Sequence, residues 1–160
     1  MRISGDDRYG RGEGAMRWYL WFVIPMVRAD GPDITRSAAG HVALEMPLLL
    51  PSALLPEAGV RWEAVDERSA RVRLMIGREE LVPVISVAPD GRLERVEMMR
   101  WDPDGMNGIP DYVRWVGDGF AEERTFAGHT IPTVVRVTKK ADTPQADAFF
   151  AAVIESAQYR

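Results

Sequence analysis

The sequence predicts an α+β fold that is mainly β: a curved antiparallel meander sheet, or half-barrel, with one main helix at about 33–46 packed on it. Three observations lead to this class. Apolar and polar residues alternate from residue 60 onward, which is the period of half-buried strands. Short polar turns separate these runs, so successive strands are expected to pair antiparallel. A single segment carries apolar residues at helical spacing.

Composition predicts one globular domain over residues 1–160. The chain is 46% hydrophobic and 28% charged, which excludes a disordered or fibrous protein. It has no cysteine, and this excludes a disulfide framework and a thiolate site. A net charge of −4 and dispersed basic residues argue against phosphate-based binding, so no nucleic-acid partner is expected. The sequence leaves both the cytoplasm and the cell envelope open as compartments.

The first strand is predicted in an abrupt apolar block at 18–24 that follows a polar opening. Its length and aromatic content favour a buried strand. Arg17 and Pro25 bound the block well short of the roughly 20 apolar residues of a transmembrane helix, so no transmembrane segment is expected. The glycines within 10–14 predict a turn, because a dinucleotide-binding loop would follow a hydrophobic strand and open a helix.

The helix is predicted to begin at Asp33, a residue type that caps helix N-termini, and to end at Pro47. Ile34, Ala38 and Val42 recur at helical spacing and predict the face that packs on the sheet. The leucine- and proline-rich stretch that follows, 47–56, predicts an apolar loop or short helical turn that plugs one end of the core.

The remaining elements are strands. Residues 60–64 and 70–76 predict one hairpin, and 81–87 and 93–99 a second one around the turn at Pro89–Gly91. Further strands are predicted at 113–120, 130–137 and 149–154.

The segment 102–111 combines Asp, Asn, Gly and Pro and is similar to Asp-rich calcium repeats of some extracellular proteins. Its spacing departs from those repeats, since Met106 stands where another acidic ligand is expected. A solvated turn accounts for the same residues. We therefore expect no metal and no cofactor.

The sequence contains two histidines, His41 and His129, and no zinc-binding pattern. His41 and Glu45 are four residues apart on the predicted helix, so they share a face. They form either an acid/base pair or an ordinary ion pair at helical spacing. The second interpretation is the commoner one, and no catalytic residue is assigned.

Tryptophan and methionine are numerous for a chain of this size. They fill the core or line an apolar cavity, because a sheet with a single helix has difficulty filling its concave side. The candidate ligand-binding residues are Trp18, Trp21, Met46, Trp62, Met75, Met98 and Trp115.

Several segments together resemble a bacterial family of uncharacterised proteins that is defined as a domain of unknown function. The most specific are 51–56 (PSALLP) and 59–66 (GVRWEAVD), and 128–133 (GHTIPT) extends the likeness. Members are longer at the N-terminus, so the chain resembles the C-terminal portion. This implies a domain lacking the family's first strands, in which either the first strand has no neighbour or a second copy of the chain supplies one in a homodimer.

The strand pattern is also similar to periplasmic lipoprotein-carrier folds, in which helix covers a half-open antiparallel barrel. This resemblance concerns architecture and carries function only weakly. The resulting hypothesis is non-enzymatic binding of an apolar small molecule or lipid on the concave side of the sheet. Two alternatives stay open: a hydrolase-like enzyme that uses the Glu/His pair, and a homo-oligomeric structural or assembly module.

Overall fold

The computed structural model describes residues 3–159, and 58% of the chain is strand and 16% helix. The strands are β1 (Ile3–Gly10), β2 (Glu13–Leu20), β3 (Ile24–Asp30), β4 (Arg61–Ala64), β5 (Ser69–Ile76), β6 (Glu79–Leu81), β7 (Val84–Val87), β8 (Leu93–Met106), β9 (Ile109–Phe126), β10 (His129–Lys139) and β11 (Asp147–Val153). Helix α1 spans Pro32–Leu49, and two short 3-10 helices follow at Pro51–Leu54 and Pro56–Ala58.

The strands form two open antiparallel sheets. The N-terminal sheet has the order β1-β2-β3, and the large sheet has the order β11-β10-β9-β8-β7-β5-β4, with β6 paired to β5. Neighbouring strands mostly follow one another in the chain. The turns that join them are too short for a parallel crossover, so the pairing is antiparallel. The predicted class, a curved antiparallel sheet with one main helix, is confirmed.

Helix α1 is longer than predicted at both ends. Gly31 is the N-cap with a φ of 101°, a conformation that glycine adopts at little cost, and Pro32 occupies the first turn. The predicted end at Pro47 is wrong, because the helix continues to Leu49. Pro47 removes one N–H within the last turn, where little helix remains to distort. Leu48 is buried there, and Leu50 donates to the Met46 carbonyl at 2.9 Å.

The core lies between α1 and the strands β5 to β8. The buried helix face consists of small residues, including Ala39, Gly40 and Ala43, so the helix backbone approaches the sheet closely. The main cluster is apolar and contains Ala39, Ala43, Leu54, Val60, Val72, Leu74, Ile76, Leu81, Ile85 and Met98.

The apolar block at 18–24 is not the buried strand that its composition predicts. It is divided between the end of β2, a turn at 21–23 and the start of β3. Trp21 and Phe22 have φ values of 52° and 66°, which reverse the chain. Trp21 and its neighbours up to Val27 are therefore exposed.

A strand is present in each predicted run after residue 60. The single strand predicted at 81–87 is wrong, because the chain leaves the sheet after Leu81, the end of β6, and resumes it at Val84, the start of β7.

Strands β8 and β9 extend beyond the predicted bounds. The turn of this hairpin lies at Asn107 and Gly108, so most of the predicted turn at 102–111 is strand. Asp102 is only 3% exposed, and its Oδ2 lies 2.7 Å from Lys139 Nζ. The solvated turn is therefore the wrong environment for Asp102, because this residue lies within β8, paired with β9, and its buried carboxylate contacts Lys139 of β10.

Replacing Asp102 with asparagine tests this buried ion pair. Asp102→Asn keeps an acceptor for the Asp104 N–H but leaves the Lys139 ammonium, which is 12% exposed, without its close anion. We expect a loss of about 3 kcal/mol in the free energy of unfolding, measured by urea denaturation.

Asp104→Asn is the matched control. The Asp104 carboxylate is 86% exposed and lies 3.8 Å from the same ammonium, so its removal is expected to cost under about 0.5 kcal/mol. Equal losses of unfolding free energy in Asp102→Asn and Asp104→Asn would contradict the assignment of Asp102 and Lys139 as a buried ion pair.

Candidate functional site

An apolar groove runs between α1 and the inner face of β8 to β11. It encloses about 140 Å³. The helix contributes one wall with Leu44, Leu48 and Leu49. The sheet contributes the floor and the far wall with Val96, Trp115, Gly117, Phe120, Val135, Val137, Phe150, Ala152 and Ile154.

Sheet register explains why these side chains meet. Val96 pairs with Gly117, Gly117 with Val137, and Val137 with Phe150. Cross-strand partners project to the same face, so one row of four strands lines the groove. Gly117 has no side chain at the centre of this row. A Cβ there would meet only Phe120 at 3.6 Å and Val96 at 3.8 Å, which are ordinary contacts.

Arg100 lies on the same face of β8 and is only 7% exposed. Its Nε donates to the Ser37 carbonyl at 3.0 Å, and its Nη2 donates to Ser37 Oγ at 3.1 Å. The guanidinium also lies over the Trp115 ring, 4.2 Å from its centroid. These contacts join the helix to the floor of the groove.

Burial lowers the pKa of Arg100 to about 10, although the charges of Asp102, Asp7 and Glu45 oppose this shift. The guanidinium therefore stays charged at neutral pH. Among residues 3–159 it has no carboxylate within 4.0 Å, so its charge is balanced over longer distances.

His41 and Glu45 form the predicted pair at the edge of the groove. His41 Nε2 lies 3.0 Å from Glu45 Oε1, and His41 Nδ1 lies 3.7 Å from Asp7 Oδ2 on β1. Asp7 Oδ1 accepts a hydrogen bond from Trp18 Nε1 at 2.9 Å. This chain of contacts ties the N-terminal sheet to α1 beside the groove.

Of the candidate ligand-binding residues, Trp115 lines the groove and is 3% exposed. Met98 is its cross-strand neighbour and belongs to the core under α1, against which Met46 also packs. These three residues are brought together on the helix side of the large sheet.

The other four candidates lie elsewhere. Trp18 is half-buried at Asp7, and Trp62 is exposed on β4 and donates to the Leu54 carbonyl at 2.8 Å. Trp21 and Met75 are exposed on separate elements. Residue type alone does not indicate which face of a strand a tryptophan or methionine occupies.

Sequence reasoning missed Arg100 and Gly117. Alternation in 93–100 places Arg100 on the same face as Val96 and Met98, and an arginine on an apolar face is a recognisable signal. Gly117 carries no comparable signal, because its importance depends on which strands flank it.

Other depressions are larger, among them four of about 1280, 750, 520 and 280 Å³, and each is open and lined by several charged side chains. The turn at Arg11 and Gly12 lines the first of these, and the antiparallel pairing of Gly10 with Glu13 on either side of it confirms that the glycine-rich segment is a hairpin turn. In the described part of the chain no three His, Asp or Glu side chains cluster closely enough to hold a metal ion. No helix between residues 3 and 159 has the length and apolarity needed to cross a bilayer.

Fold and groove define a class: α+β proteins in which one helix lies across an open antiparallel sheet and leaves an apolar groove beside it. Within that class, the chain belongs to a family of unknown function, DUF6920, whose match spans residues 1–159. No curated protein and no solved structure matches the chain.

Proposed function

We propose that this protein binds an apolar or lipid-like ligand, without chemical conversion, in the groove between α1 and β8 to β11. One observation carries the proposal. Beneath α1 the protein's own side chains fill the space over β5 to β8, whereas beyond the helix an apolar space is left over β9 to β11. A pocket with apolar walls and few polar groups is the usual form of a small-molecule site.

The volume limits what the groove encloses. At about 140 Å³ it is close to the roughly 150 Å³ hydrocarbon cavity that stays dry and binds benzene. The enclosed part of the ligand is therefore one small ring or a short alkyl segment. A longer chain has to extend out of the groove.

Polar groups at the edge orient the ligand. His41, Glu45 and Arg100 line the groove together with the leucines of α1. Their charges lie on the helix side, while the β10 and β11 side is apolar. A ligand with an apolar body and one polar end matches this distribution, with its body against Trp115 and Phe150.

Filling the groove tests the proposal. Gly117→Leu places a side chain at the centre of the floor, where an added Cβ makes only ordinary contacts. We expect the affinity for the fluorescent probe N-phenyl-1-naphthylamine to fall at least about tenfold in titrations, because the added side chain occupies most of the space. Circular dichroism checks that the fold is kept.

Gly10→Leu is the matched control, since Gly10 is exposed on β1 and no atom lies within 4 Å of an added Cβ. It should bind the probe like the wild type. Failure of the wild-type protein to bind the probe, or of decanol to displace it, would contradict the proposal, as would unchanged affinity in Gly117→Leu.

A second candidate is a hydrolase-like activity at the same edge, favoured by the 3.0 Å contact between His41 Nε2 and Glu45 Oε1. Among the described residues that line the groove, none carries a hydroxyl or thiol, so the nucleophile would have to be water. In this role His41 acts as general base and Glu45 orients it.

Hydrolysis of p-nitrophenyl butyrate distinguishes the two functions. Under the enzyme hypothesis the wild type shows turnover, and His41→Gln lowers it at least about a hundredfold, the usual share of a general base. Binding of N-phenyl-1-naphthylamine is retained in that variant. Absence of turnover above the buffer rate in the wild type removes this candidate and leaves the binding function.

A further inference from the structure

The hairpin formed by β2 and β3 ends in an uncharged tip, residues 18–27. Ten successive residues, Trp-Tyr-Leu-Trp-Phe-Val-Ile-Pro-Met-Val, carry no charge, and Arg17 and Arg28 bound them. The tip belongs to the small N-terminal sheet and contributes nothing to the groove.

The far half of this tip is exposed. Val23, at the turn, is 74% exposed. The other large apolar residues exposed there are Trp21, Phe22, Ile24, Met26 and Val27. Exposed apolar residues that occur singly need no explanation, but a contiguous patch marks an interaction surface.

The exposure involves both faces of β3. Ile24 and Pro25 are consecutive in β3 and pair regularly with Leu20 and Tyr19, so their side chains point to opposite faces, and both are exposed. A second protein chain packed on one face would leave the other face in water. An apolar environment that surrounds the whole tip would cover both faces of β3.

Strand addition at this edge is also disfavoured. Strand β3 is an edge strand of its sheet and contains Pro25. Proline in an edge strand is a common means of preventing edge-to-edge pairing, because it supplies no N–H.

The turn itself is unfavourable for the residues that occupy it. Trp21 and Phe22 have φ values of 52° and 66°, and Val23 donates to the Leu20 carbonyl at 3.3 Å. This left-handed geometry is that of a type I′ turn, in which asparagine and glycine are preferred. The backbone of this turn therefore does not account for a tryptophan at position 21.

Charge at the base of the tip indicates the partner. Arg17 and Arg28 are direct cross-strand partners, and like charges in this arrangement repel. Among residues 3–159 neither arginine forms an ion pair with a carboxylate within 4.0 Å, and Asp6, which lies opposite Arg17, is paired with Arg8. Arg17 and Arg28 lie side by side at the base of the tip, and two adjacent guanidinium groups are complementary to phosphate.

We propose that this tip docks the protein on an anionic lipid bilayer. Trp21 and the aliphatic side chains enter the boundary between head groups and acyl chains, where amphipathic aromatic residues are favoured. Arg17 and Arg28 contact lipid phosphates at the level where the apolar residues end. This surface is separate from the groove and does not depend on the function proposed for it.

Flotation with vesicles tests the proposal. The wild-type protein is expected to float with vesicles of phosphatidylglycerol and phosphatidylcholine. Trp21→Asn combined with Phe22→Gly removes the aromatic side chains and installs the preferred residues of a type I′ turn, so the hairpin still forms. We expect vesicle binding to fall at least about tenfold, with a melting temperature equal to or above that of the wild type.

Met75→Ser is the control for apolar exposure, because Met75 is similarly exposed on β5 in the large sheet. It should leave vesicle binding unchanged.

The arginine pair is tested separately. Arg17→Gln combined with Arg28→Gln is expected to weaken binding to anionic vesicles about fivefold for each arginine. Arg61→Gln combined with Arg78→Gln removes the same charge at two other exposed positions and should have no comparable effect.

Three results would overturn the proposal: a wild-type protein that does not float with anionic vesicles, undiminished binding of the Trp21/Phe22 variant, or equal losses for the two arginine pairs. Light scattering that shows a wild-type dimer, converted to monomer by the Trp21/Phe22 substitutions, would assign the tip to a second copy of the chain.

Discussion

The guanidinium of Arg100 determines how α1 lies on the large sheet. It projects from the inner face of β8 and donates hydrogen bonds to Ser37. Gly40 lies one turn later in the helix, where an added Cβ would come within 2.7 Å of Arg100 Cγ. A buried charge is unfavourable, and burial lowers the pKa of Arg100 to about 10. The contacts with Ser37 and the Trp115 ring offset that cost, so the charged group holds helix and sheet at one fixed distance.

This position of the helix creates the groove. Small residues on α1 allow close packing over β5 to β8, and the same packing leaves β9 to β11 without a helical cover. Gly117 keeps the uncovered floor open, and the buried pair of Asp102 and Lys139 lies on the neighbouring stretch of β8 and β10. The groove is thus a consequence of one helix lying on a sheet wider than itself.

How far the sequence predicts this structure depends on the range of the interactions. Period-two alternation predicts β5 and β8, because successive side chains of any strand point to opposite faces. A strand with one buried face therefore shows this pattern within its own few residues. The continuation of α1 through Pro47 is not predictable in this way, since burial of Leu48 is a tertiary contact. The block at 18–24 misleads for the same reason: composition indicates burial, but the left-handed turn at Trp21 exposes it. The His41–Glu45 pair is predictable from helical spacing, whereas its place at the groove depends on strand order.

A double-mutant cycle on Gly40 and Arg100 tests the central claim most directly. A Cβ at Gly40 would lie 2.7 Å from Arg100 Cγ, so Gly40→Ala is expected to lower the free energy of unfolding by at least about 1 kcal/mol. In the Arg100→Ala background the same change should be neutral or stabilising by up to about 1 kcal/mol, because alanine is the better helix former. An equal effect of Gly40→Ala in both backgrounds, measured by urea denaturation, would contradict the claim that Arg100 sets the position of the helix.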